Sequence, residues 1–186
     1  MVVGLVGWGW AALAQPATQP SYFGTKEIRR EGLKPFTKWT RVLERHPEDE
    51  KSVPRACAQN PGKPCPWNEW RAFLEQTRTQ DPMQRLEAVN RYMNRHRYVT
   101  DIVNWGVEDY WETPNEFANK DGDCEDFAIA KYYSLRALGV SEESLRIVVL
   151  QDLNLRIGHA VLVALVDGKA WVLDNQIDRV IEADRI

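Results

Sequence analysis

The sequence predicts an α+β fold, with helices through the first two-thirds of the chain and an antiparallel sheet at its C-terminal end. Three observations carry that expectation. Apolar residues recur at helical spacing in separate blocks between Trp39 and Met93. A long block from Asp123 to Leu138 is apolar nearly all round, as expected of a buried helix. Short β-rich runs follow it, two of them joined by Asp167-Gly168, a strong two-residue hairpin signal.

The elements follow in order. Residues 15 to 36, rich in Pro and Gly, read as an extended lead-in. Phe36 to Glu44 forms a short helix with Trp39, Val42 and Leu43 turned inward. From His46 to Pro66 the chain carries five prolines, which predict a loop. Trp67 to Thr77 is helical, with Trp70, Phe73 and Leu74 on one face. Asp81 caps the next helix and Pro82 occupies its first position. That helix runs to about His96 and buries Met83, Leu86, Val89, Tyr92 and Met93. Tyr98 to Asp121, aromatic and acidic, reads as an ordered loop with one short turn.

The central helix then starts at Asp123, with Asp126 three residues on in a capping-box arrangement, and Gly139 ends it. Strands are expected at Arg146 to Leu150, His159 to Val166 and Ala170 to Asp174, and a fourth short one at Val180 to Ala183. The central helix needs a sheet face on which to bury its apolar surface.

At 186 residues, 44% hydrophobic and 27% charged, residues 15–186 fit a single domain with a sizeable core. A net charge of -3 gives no reason to expect nucleic-acid binding. Val2 to Ala14 is almost purely apolar, ends in Ala12-Leu13-Ala14, and is too short to span a bilayer. Residues 1–14 therefore read as a signal peptide, and the lack of a basic leading segment places its natural start upstream of Met1. The cysteines agree with export. Cys57 and Cys65 enclose a turn-rich loop that suits a disulfide. Two free thiols or half a metal site are the alternatives, and no other cysteine or histidine sits nearby to complete a metal site. Cys124 is then left unpaired, which in an oxidising compartment calls for a functional explanation.

Cys124 sits in Gly122-Asp123-Cys124-Glu125-Asp126, at the first turn of the central helix. His159 follows on a later strand and Asp174 on the strand after that. These are the parts of a thiol nucleophile, its base and the base's orienter. The hairpin tests the pairing. With a two-residue loop, Val166 opposes Lys169, so Asp174 opposes Val161 and His159 opposes Gln176. His159 and Asp174 then share a sheet face as diagonal neighbours. A helix N-terminus lowers a thiol pKa, and the Cys124 backbone N–H is a natural oxyanion donor. The Trp105 or Trp111 indole would supply a second. Asp123, Glu125 and Asp126 oppose thiolate formation by crowding it with negative charge. A calcium ion on those carboxylates would resolve the conflict. The alternative is that Asp123 only caps the helix and Glu125 is solvated.

The motifs resemble the transglutaminase-like superfamily, and within it the bacterial transglutaminase-like cysteine proteinases, the LapG-type periplasmic proteases. The matching stretches are Asp109-Tyr110-Trp111-x-Thr113-Pro114-x-Glu116-Phe117, then Gly122-Asp123-Cys124-Glu125-Asp126-Phe127-Ala128-x-Ala130-Lys131-Tyr132, then Gly158-His159-Ala160-Val161-Leu162, and Val172-Leu173-Asp174-Asn175. The resemblance covers the chain from about Trp67 onward. It implies a papain-like core, a Cys124-His159-Asp174 triad, and calcium dependence with Asp123 and Glu125 on the ion. It further implies a periplasmic endopeptidase that cuts a large repeat adhesin near its N-terminus at a di-alanine site. That cut releases the adhesin from the outer membrane and so controls biofilm attachment. An inner-membrane receptor for cyclic di-GMP restrains such proteases.

Two other functions use the same residues. A transglutaminase-type acyl transferase would employ the triad with an amine acceptor. A non-catalytic module would sequester a peptide or calcium, a reading the complete triad disfavours.

Overall fold

The computed structural model describes Phe23 and residues 36–186. The expected signal peptide, and all but Phe23 and Phe36 of the lead-in, lie outside the described residues. Among the described residues, six α-helices pack against a four-stranded antiparallel sheet of order β1-β2-β3-β4, the predicted α+β arrangement.

Helix α1 spans Thr37–Gln59, far past the expected end at Glu44, and takes in Pro47 and Pro54. The loop expected from His46 to Pro66 is therefore helical over most of its length. Each proline removes one backbone donor, but the inward stripe continues without a break through Trp39, Val42, His46 and Val53. The His46 ring lies 3.9 Å from Tyr133, and Trp39 meets Tyr132 edge-on at 5.2 Å. Tertiary burial of this face outweighs two missing hydrogen bonds. Only residues 60–65 form a loop, and a Cys57–Cys65 disulfide closes it.

Helix α2, Pro66–Thr77, places Trp67, Trp70 and Leu74 in the core, and the Trp70 indole donates to the buried Ser134 hydroxyl at 2.9 Å. Helix α3, Pro82–Met93, carries the expected Asp81 cap, reciprocated by Gln84, and ends three residues before His96. The stretch read as a loop with one turn holds two short helices, α4 (Asp101–Asn104) and α5 (Pro114–Lys120). Thr113, Pro114 and Glu116 form a full capping box with proline at the first position, a local signal for α5. Phe117 of α5 is buried and packs edge-on against Phe127 at 4.8 Å. Truncating it would cost about 3–5 kcal/mol.

Helix α6, Cys124–Ala137, is the centre of the fold. Phe127, Ala128, Ile129, Ala130 and Leu135 are all buried, so the helix has almost no wet face. Gly139 terminates it at φ +89°, where a Cβ would be strained. The strands are β1 (Leu145–Asp152), β2 (Ile157–Val166), β3 (Lys169–Leu173) and β4 (Ile181–Glu182). Asp167 and Gly168 both have positive φ, as a two-residue primed turn requires, and Val166 pairs with Lys169 as predicted. Leu162, Ala164 and Leu173 face the helices, while Val161, Val163 and Val172 form a smaller second core with Ala183. None of the described helices is long and apolar enough to cross a membrane.

Candidate active site

Cys124 is the first residue of α6 and comes up against β2, where the Ala160 backbone amide lies beside its sulfur. His159, the neighbour of Ala160, is 5% exposed, and its Nε2 lies 2.9 Å from Oδ1 of Asp174. Asp174 sits just past the end of β3. The hairpin register carries this pair: Leu162 opposes Leu173, which makes His159 and Asp174 diagonal neighbours at the open end of the hairpin. The Asp174 carboxylate also accepts the Gln176 amide at 2.9 Å, and Asn94 of α3 donates to its backbone carbonyl at 2.9 Å. Burial pushes Asp174 up, but the His159 hydrogen bond, the Gln176 amide and the charges of His159 and Lys131 outweigh it and hold the carboxyl below its ordinary value. With Nε2 committed to Asp174, Nδ1 is the nitrogen left to serve a nucleophile.

The thiol's surroundings are of opposite character. Cys124 donates to Oε2 of Glu125 at 3.1 Å. Burial, then the charge and hydrogen bond of Glu125, push the thiol up to about 12, with Asp123 adding to the effect and the Ala160 amide opposing it. Asp123 caps α6 in extended conformation and is itself raised to about 8, by burial first and by Glu125 next.

A residue that the sequence reading missed stands in the same place. Asp101, the first residue of α4, is 1% exposed, and burial with Glu125 raises it to about 6. Its Oδ2 accepts the Tyr110 amide at 2.5 Å. Val99 N–H to the Gly122 carbonyl at 2.8 Å, and the Asn104 side-chain amide to the Asp121 carbonyl at 2.9 Å, join the two segments and bring Asp101 to Asp123. No local signal reports that approach. Carboxylate oxygens of Asp101, Asp109 and Glu125 lie within 4.8 Å of one another, as do those of Asp101, Asp123 and Asp126. Oδ1 of Asp101 and Oδ1 of Asp123 are buried without a hydrogen-bond partner among the described residues. Hard oxygen donors at this density, two of them unsatisfied, fit a calcium ion.

Asp126 has a further task. It is fully buried, its Oδ1 accepts the Glu112 amide at 2.8 Å and its Oδ2 the Asp123 amide at 3.1 Å. It thereby braces the helix start against the incoming Trp111–Glu112 segment. Gly122 makes room for it, since a Cβ there would come within 2.4 Å of Asp126 Oδ2.

The two tryptophans differ. The Trp105 indole donates to Glu112 Oε1 at 2.5 Å, so its N–H is engaged away from the thiol. Trp111 is half-buried, and no hydrogen bond of its indole is found among the described residues. Its carbonyl accepts from Arg45 of α1, whose guanidinium also bonds the Tyr110 hydroxyl and lies 4.7 Å above the Tyr110 ring. Lys38 pairs with Asp109, and Thr113 donates to Asp49 at 2.5 Å. Helix α1 thus clamps the segment that leads to Cys124.

Comparison with known proteins agrees with this architecture. The profile of a family described as bacterial transglutaminase-like cysteine proteinase matches residues 54–185. Three solved structures of LapG from Legionella pneumophila are similar to the chain, each at 30% identity, with a TM-score of 0.61 over 72% of this chain. The first, and a second described as calcium-bound, are covered over 78% of their length; a third, EGTA-treated, over 76%. Comparison with curated proteins returns no match. The helices over a four-stranded sheet are therefore a transglutaminase-like fold.

Proposed function

The chain belongs to the bacterial transglutaminase-like cysteine proteinases, and on that premise we propose that it is a calcium-dependent endopeptidase in which Cys124, His159 and Asp174 carry out the chemistry. As a cysteine peptidase it acts on a protein substrate. The observation that carries the assignment of residues is the His159–Asp174 bond at 2.9 Å, formed on the strand whose next amide lies beside the Cys124 sulfur.

His159 takes the thiol proton on Nδ1 while Asp174 accepts the Nε2–H and fixes the tautomer. The thiolate sulfur bonds to the scissile carbonyl carbon, and the carbonyl π electrons move to oxygen. The Cys124 backbone N–H, with the Trp111 indole, stabilises that oxyanion. When the tetrahedral adduct collapses, the C–N bond breaks and His159 gives its proton to the leaving amine. A water, deprotonated by His159, then cleaves the thioester and returns the thiol.

Asp101, Asp109, Asp123 and Glu125 would hold calcium. Bound there, the ion supplies positive charge beside the thiol and ties the α4 segment to the start of α6. Asp126, with both oxygens on backbone amides, keeps the helix start in place. The calcium-bound and EGTA-treated forms of the Legionella relative support this reading.

The family resemblance extends the proposal to place and substrate. The protease works in the periplasm, cuts a large repeat adhesin near its N-terminus at a di-alanine site, and so governs biofilm attachment. An inner-membrane cyclic di-GMP receptor holds it in check. The signal-peptide pattern of residues 1–14 and the Cys57–Cys65 disulfide support export. The test incubates the protein with the N-terminal region of a repeat adhesin from the same genome, with calcium, with chelator, and with Cys124→Ala. A calcium-dependent cut that the variant lacks is expected. A product joined to an added amine, with no free carboxylate, would replace the peptidase assignment with an acyl transferase.

A further inference from the structure

Residues 121–123 join α5 to α6, and the first of them holds a backbone conformation that its side chain does not favour. Asp121 sits at φ +62° and ψ 179°, a region costly for any residue but glycine. Glycine would take that backbone without penalty. The presence of aspartate instead calls for an account.

The polar groups of Asp121 supply it, because they are engaged from three directions. Its Oδ1 lies 3.0 Å from His96 Nδ1 and accepts the Arg97 amide at 3.3 Å. Its Oδ2 accepts from Arg97 Nε at 2.8 Å. Both residues follow the end of α3, and the His96 ring is itself seated 4.6 Å from Phe117. The Asp121 amide donates to the Phe117 carbonyl of α5 at 2.8 Å, and its carbonyl accepts the Asn104 side-chain amide of α4 at 2.9 Å. The residues that follow turn this anchor into a site. Gly122 gives its carbonyl to Val99 N–H, and Asp123 then caps α6. The carboxylates of Asp101, Asp123 and Asp126 so gathered lie within 4.8 Å of one another, and like charges at that distance repel. A connector free to swing would let Asp101 and Asp123 part before any ion binds.

We propose that Asp121 is a positioning residue that latches the α5–α6 connector to the end of α3, and so preassembles the calcium cage against its own repulsion. The inference rests on the calcium reading above. The strained backbone aims the Gly122 carbonyl at Val99, and the bonds from His96 and Arg97 hold the backbone there. A site assembled in advance binds its ion with nearly its intrinsic affinity. A site that is open most of the time binds more weakly, in proportion to the fraction that is closed.

Asp121→Gly separates backbone from latch, since glycine accepts the conformation but has no carboxylate. Asp121→Asn keeps an acceptor oxygen and tolerates positive φ. Isothermal titration calorimetry with calcium reads the affinity. Hydrogen exchange of the Val99 amide, measured in chelator, reads the closed connector without any ion. The glycine variant is expected to bind calcium about tenfold more weakly than wild type. Its Val99 amide should exchange about tenfold faster, while the amides from Phe127 to Leu135 inside α6 keep their protection. Asp121→Asn should recover part of both. Wild-type affinity and wild-type Val99 protection in the glycine variant would overturn the latch. So would a loss of protection shared equally by the α6 amides, which marks general destabilisation. Wild-type protein that takes up no calcium would fail the cage itself, a separate result, and Val99 exchange would still decide whether Asp121 holds the connector.

Discussion

The two sides of the Cys124 thiol are built on opposite terms. On one side, His159 and Asp174 are sealed, bonded to each other and to backbone amides, with the carboxylate held below its ordinary value. On the other, Asp101, Asp123 and Glu125 crowd together with two buried oxygens unsatisfied and two carboxyls raised. The first half is complete within the chain. The second is a cage of like charge that burial makes worse. In a low-dielectric site, unpaired carboxylates cost several times what they would in water. A protein that keeps them there gains from a cation, and the Glu125 and Asp123 charges of this half push the thiol up.

The contrast is broken most completely at the complete half. Cys124→Ala and His159→Ala should each lower turnover by about 10⁴ or more with the fold intact, as circular dichroism would check. Full activity in either would remove the triad. Asp174→Ala acts on an orienter and should cost roughly tenfold to a hundredfold less than Cys124→Ala, in the same cleavage assay.

The incomplete half should respond to the ion. Calcium at a hundredfold over its Kd adds about 2.7 kcal/mol, which for a domain of this size raises the Tm by roughly 5–10 °C. Differential scanning calorimetry with calcium and with chelator would measure it, and coincident curves would dismiss the cage. Asp101→Asn sharpens the point because its two effects have opposite sign. It removes like charge, so the chelated variant should melt at or above wild type. It also removes a ligand, so the calcium needed for half-maximal activity should rise roughly tenfold, or about 1.4 kcal/mol.

A pH test reaches the segment that Asp126 braces. Burial raises Glu112 to about 7, against a favourable bond from Trp105. The folded state therefore holds this proton more tightly than the unfolded one. That contribution is full below about pH 4 and is lost as pH rises through about 7. In chelator, wild type should lose up to roughly 3 kcal/mol more between pH 5 and 8 than Glu112→Gln. Parallel Tm-against-pH curves would mean that Glu112 titrates as in water.

What was legible divides along the same line. The α6 start, its Gly139 stop and the Asp167-Gly168 hairpin were readable because each depends on a few adjacent residues. The hairpin is the clearest case: two residues fixed the register, and register put His159 and Asp174 on one face. Local signals mislead in two places. The prolines of α1 have the character of breakers, yet the stripe from Trp39 to Val53 continues past them. The capping box at Thr113, Pro114 and Glu116 starts a helix inside a stretch whose aromatic, acidic composition suggests a loop.

By itself the sequence determined helices α2, α3 and α6, the four strands, a cysteine at a helix start, the register of the His159–Asp174 pair and the disulfide loop. These follow from backbone periodicity, capping and turn geometry, which act over a few residues. Only the tertiary structure decided that Asp101 joins Asp123 and Glu125, that α1 holds the Trp111 segment through Arg45, and that Lys131 of α6 is fully buried. Those relations depend on how far buried charges lie from one another across the fold, and sequence spacing does not encode that distance.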